Sequence, residues 1–99
     1  AGVNDDTVVE GGVDWVHARA SVCHLERADV LTCVAAVHAY VRANAAPMNG
    51  GGVRSGYLVP PNMFDVVQAL LRESRAAGLS VDDECAWEIV RLHDDFLRR

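Results

Sequence analysis

The chain has 99 residues, with 9 basic against 14 acidic side chains and a formal net charge of −5. That length builds one domain, and the 51% apolar content supplies a modest core for it. An acidic chain gains little from counterion release on a phosphate polymer, which argues against nucleic acid as a partner. The longest apolar-rich stretch, Val30 to Val41, is broken by Thr32 and His38 and is too short to span a bilayer, which argues against membrane insertion.

Residues 1–12 hold Asp5, Asp6, Glu10 and the pair Gly11-Gly12, around a single apolar pair, Val8-Val9. They read as a mobile acidic arm, with no secretory signal, ahead of a single helical domain over 13–99. From Val13 to Leu25 the pattern favours a helix capped by Asp14, with Val16, Ala20 and Cys23 on one face. A strand with Val16, Ala18, Ala20 and Val22 on one side is the competing reading.

Asp29 to Ala46 is the clearest helix. Val30, Val34, Val37 and Val41 recur at spacings of four, three and four, Cys33 and Tyr40 widen that face, and His38 sits beside the opposite strip. Asp29 is its candidate cap and Pro47 its stop. Three consecutive glycines, Gly50 to Gly52, with Gly56 beyond, define a loop over Met48 to Val59, and Tyr57-Leu58-Val59 is expected to run extended.

Asn62 caps the next helix, whose inner face is Met63, Val67, Leu70 and Leu71 with Phe64 alongside. Gly78 supplies its left-handed end, and Leu79 packs back. Ser80 starts the last helix, with Asp82, Asp83 and Glu84 at the positive end of its dipole. Val81, Cys85, Ile89, Leu92 and Phe96 form its core face, and Asp94–Arg98 and Asp95–Arg99 are surface pairs. The fold class is therefore all-α: a small three- to four-helix bundle or helical-hairpin array, with a Gly-rich loop between the second and third helices.

The chemistry-bearing residues form no recognised constellation. Three cysteines, Cys23, Cys33 and Cys85, are an odd number and read as reduced thiols, mostly buried as small hydrophobes. That places the chain in an intracellular, reducing compartment, either the cytoplasm or an organelle matrix such as the mitochondrial one. Cys23 and His24 are adjacent and Cys33 and His38 five apart, so neither pair has chelate spacing, and neither metal nor cofactor is expected. Asp82 to Glu84 read as capping residues and Glu84–Glu88 as a solvated pair, so no catalytic carboxylate is assigned. The glycine loop lacks the Lys-Ser/Thr ending of a phosphate loop and leaves only Arg54 as an anion contact.

What stands out is an aromatic on a polar strip. Trp87 shares a row with Asp83, Arg91 and Asp94, and Trp15 is a second unplaced tryptophan. Trp and Arg dominate interface hot spots. The reading is a non-catalytic protein–protein interaction module, an accessory or assembly subunit whose partners are other protein subunits. Two alternatives stand beside it. One is an RNA-associated helical hairpin using Arg72, Arg75, Arg91, Arg98 and Arg99 with Trp87 stacked on a base. The other is a small Cys/His-dependent enzyme or metal sensor.

Overall fold

The computed structural model describes residues 5–47, 58–59 and 61–99. Four helices carry the fold: α1 (Asp5–Arg19), α2 (Arg27–Asn44), α3 (Met63–Ala76) and α4 (Asp83–Leu97). Between α2 and α3 a short ribbon pairs β1 (Ala46–Pro47) with β2 (Leu58–Val59) antiparallel, setting Ala46 opposite Val59 and Pro47 opposite Leu58. Helices neighbouring in sequence pack together and α4 closes against α1, with α2 and α4 also meeting across the centre. The expected all-α bundle is therefore the fold. The extended run expected before Pro60 is present at Leu58–Val59, and the glycine loop itself lies outside the described residues.

The expected arm needs correction. Residues 5 to 12 are the first two turns of α1, which passes straight through Gly11 and Gly12. Each glycine inside a helix costs about 1 kcal/mol against alanine, so local propensity argues for a break. Packing overrides it. A β-carbon on Gly11 would stand 2.9 Å from the Phe96 ring of α4, and one on Gly12 would stand 3.3 Å from the Val34 methyl of α2. At both glycines a side chain of a neighbouring helix occupies the space a β-carbon would take. The face that results is Val9, Val13, Val16 and Ala20, at spacings of four, three and four, with Val13 and Val16 fully buried. Asp14 is not a cap. It sits mid-helix on the surface, 2.6 Å from Arg27, an exposed pair of small energetic weight. Residues 20–25, expected to extend this helix, instead belong with Glu26 to its connection to α2.

Helix α2 begins two residues before the expected cap. Glu26 is the N-cap residue without a side-chain hydrogen bond, and Asp29 lies in the first turn, where the dipole favours its charge. Its core face is as the spacing predicts: Val30, Cys33, Val34 and Val37 are buried and Val41 is half-buried.

Both later helices are capped. Asn62 Oδ1 accepts the Phe64 N–H at 2.7 Å, and Asp82 Oδ1 accepts the Cys85 N–H at 2.8 Å. The N-cap of α4 is thus Asp82, two residues after Ser80. Gly78 takes φ 80°, and the Leu79 N–H reaches back to the Ser74 carbonyl at 2.9 Å, which satisfies an orphan carbonyl and lays Leu79 on the core. Arg98 meets Asp94 at 2.9 Å as expected. No described helix is long and apolar enough to cross a membrane.

Candidate functional site

Three places in the bundle gather groups with chemical potential. The first is a clamp at the N-terminal end of α4. Cys23, in the loop after α1, is disulfide-bonded to Cys85 in the first turn of α4, a sequence separation of 62. This overturns the expectation of three reduced thiols, and with it the basis for assigning a reducing compartment, since disulfides persist where the surroundings oxidise. An odd count is compatible with one bond plus one free thiol, and that thiol is Cys33, buried in the core. Burial, with the Asp29 carboxylate nearby, pushes the Cys33 thiol up to about 11. A thiol held protonated in this way is a poor nucleophile, and Cys85 has no thiol to offer.

One helical turn past Cys85, Glu88 completes the clamp. Its carboxylate accepts the Ser21 N–H at 3.0 Å, the Val22 N–H at 3.0 Å and the Ser21 hydroxyl at 3.1 Å. Glu88 is 8% exposed, not the solvated residue its spacing from Glu84 suggested. Burial raises its pKa, but the hydrogen bonds from Ser21, Val22 and Cys23 outweigh that and hold the carboxyl below its ordinary range. The carboxylate therefore serves as an anchor for the donors of the 21–23 loop. Glu88→Ala should leave the part-buried Ser21 and Val22 N–H groups without their acceptor and lose about 2 kcal/mol of stability in urea unfolding. Glu88→Gln, which keeps an acceptor, should lose clearly less; equal losses would show that the hydrogen bonds do not hold the loop.

The second place lies toward the other end of the bundle. His38 of α2 and His93 of α4 are 8% and 2% exposed, with ring centroids 5.9 Å apart, edge toward face. The sequence places His38 beside the polar strip of its helix and reads the histidines as scattered, partly exposed imidazoles, which the burial of both rings corrects. The overlooked signal is periodic: His93 continues the row Ala86, Ile89, Val90 and Leu97, and His38 falls between Val34 and Val41. Burial, then the neighbouring His38, lowers the His93 pKa to about 4, against a smaller opposing effect of Asp94. Its ring is therefore neutral at pH 7. Beside it a cavity of about 50 Å³ opens between α2, α3 and α4. No cluster of three His, Cys, Asp or Glu able to hold a metal occurs among the described residues.

The third place is the outer side of α4, where the sequence put the partner contacts. Asp83 and Arg91 are exposed there, and Trp87 is half-buried with one side packed on the core. Asp94 is half-buried and held by Arg98. These four fall in one row along the helix. Trp15 lies elsewhere. It packs against Phe96 at 6.0 Å, with the Arg19 and Arg99 guanidinium groups 3.3 Å and 4.2 Å from its ring centroid. Phe96 lies half a turn around α4 from Trp87 by helical geometry, so the two tryptophans do not share a surface. Arg98 is drawn to Asp94 and Arg99 to Trp15, so the last two members of the expected arginine stripe already have protein partners. Arg54, the expected anion contact, lies outside the described residues. No known protein family, curated protein or solved structure matches the chain.

Proposed function

We propose that the domain is a non-catalytic interaction module, an accessory or assembly subunit that docks another protein through the outer face of α4. The observation that carries this reading is the row Asp83, Trp87, Arg91 and Asp94. It sets a half-covered tryptophan one turn from an exposed arginine, between two carboxylates. The packed side of Trp87 fixes the ring, so little side-chain entropy is lost when its open edge is covered. The partner this strip fits offers an apolar pocket to Trp87 and a carboxylate to Arg91, which is a mixed apolar and charged contact of the hot-spot kind.

The test is a native mass spectrum of the untagged protein isolated from its own source, followed by Arg91→Glu and Trp87→Ala. A complex well above 10.7 kDa is expected. Each substitution should weaken it about 30-fold or more, as loss of a hot spot does, while the far-ultraviolet spectrum stays helical. Arg91 is exposed, so its variant separates lost binding from lost folding. A bare chain from the native source, or a complex indifferent to Arg91→Glu, would overturn the proposal.

A further inference from the structure

The cavity between α2, α3 and α4 is walled by Val37, Val66 and Val90, with Met63 and Leu97 toward its opening. Its lining includes the 2%-exposed His93, whose Nε2 is buried with no hydrogen-bond partner among the described residues. A buried polar atom of that kind calls for a partner, and the walls formed by Val37, Val66 and Val90 supply none. The space, about 50 Å³, exceeds what one water needs, yet it is about a third of a cavity that encloses benzene. It therefore encloses a group of about two to four heavy atoms.

Charge narrows the choice further. His93 is neutral at pH 7, so it offers one hydrogen bond and no countercharge. The Asp94 carboxylate lines the same cavity and opposes an anion. Its own bond to Arg98, at 2.9 Å, leaves it little net attraction for a cation. A charged group entering these walls would lose its hydration without replacement. An uncharged hydroxyl or carbonyl group on a short aliphatic chain satisfies every constraint at once.

We propose that this cavity is a binding site for small, uncharged aliphatic molecules bearing one hydroxyl or carbonyl group, with that group hydrogen-bonded to His93 and the chain against Val66 and Val90. The site meets the outer row of α4 only at Asp94 and does not depend on a protein partner. The test uses the full oxidised chain at pH 7 and follows methyl and imidazole resonances during titration with 1-propanol, propionate and n-propylammonium. 1-Propanol should shift the His93 ring and the Val66 and Val90 methyls saturably. Propionate and n-propylammonium should bind at least tenfold more weakly. Val90→Phe, which fills the space, should abolish the response. His93→Leu should reduce the 1-propanol affinity several-fold, and His93→Gln should restore part of it. Non-saturating shifts, equal responses to all three probes, or binding that survives Val90→Phe would overturn the assignment. Should a variant fail to fold, the three-probe comparison on the unaltered chain still decides.

Discussion

Opening the Cys23–Cys85 bond is expected to remove about 4 kcal/mol of stability. The bond closes a loop spanning a sequence separation of 62, and cross-linking a chain over that length takes about 4 kcal/mol of entropy from the unfolded state. A domain of this size has only about 5–15 kcal/mol in total. The native side is tied to the same feature, because the bond holds the loop whose Ser21 and Val22 sit on the Glu88 carboxylate. The two anchors share one loop, so their losses should fall short of additive when combined. The measurement is urea and thermal unfolding with and without reductant, beside the double variant Cys23→Ala/Cys85→Ala. Both should lower the melting temperature by roughly 20 °C. In denaturant without reductant only Cys33 should react with a thiol reagent, and after reduction all three cysteines should. Three reactive thiols before reduction, or an unfolding midpoint indifferent to reductant, would refute the bond's role.

What the sequence discloses and what it conceals divides by distance along the chain. The face of α2, the Asn62 cap, the Gly78 terminus and the Asp94–Arg98 pair all rest on residues within a turn or two of each other. Periodicity and capping chemistry act at that range, so these features were legible. Gly11-Gly12 read as a break because their local propensity is poor, while the reason for them is the Phe96 ring at the far end of the chain. Glu88 read as solvated because Glu84 is its near neighbour, while its donors come from the loop after α1. The cysteine pairing is of the same kind, for a count of three states nothing about which two meet.

Among the candidate site residues the division is different. Asp83, Trp87, Arg91 and Asp94 were legible as one row because a helix alone puts them there. Trp15 was legible as an unplaced aromatic but not as the platform for Arg19 and Arg99, which needs α1 laid against α4. The histidines were the costliest omission. His93 lies on an apolar row of its own helix, and weighing it as a core position would have flagged a buried imidazole without the structure.

That imidazole makes the fold sensitive to acid, in a window that lies mostly above that of Glu88. The groups facing His93 are His38 from α2 and Asp94 from its own helix, while α3 presents the uncharged Met63 and Val66. The folded-state pKa of about 4 lies below the ordinary 6.5, so the native state stays neutral where the unfolded chain already binds a proton. Stability on this account is full above 6.5 and falls as the pH drops from 6.5 toward 4, by about 3 kcal/mol at the bottom of the range. Glu88 has the opposite origin and the same sign. Its pKa is depressed, so the stability it supplies is present above about 4.5 and is lost as the pH falls through its folded value. The upper part of the acid limb therefore belongs to His93 and the lowest part to Glu88. Urea midpoints at intervals between pH 7 and pH 3.5 resolve the two. His93→Leu should flatten the curve between 6.5 and 4.5 and leave stability at pH 7 unchanged or higher, because it replaces an unpaired buried polar atom with hydrocarbon. Glu88→Gln should leave that upper limb intact and flatten the lower one. If His93→Leu keeps the slope of the parent chain from 6.5 to 4.5, the buried imidazole is not what acid attacks in this bundle.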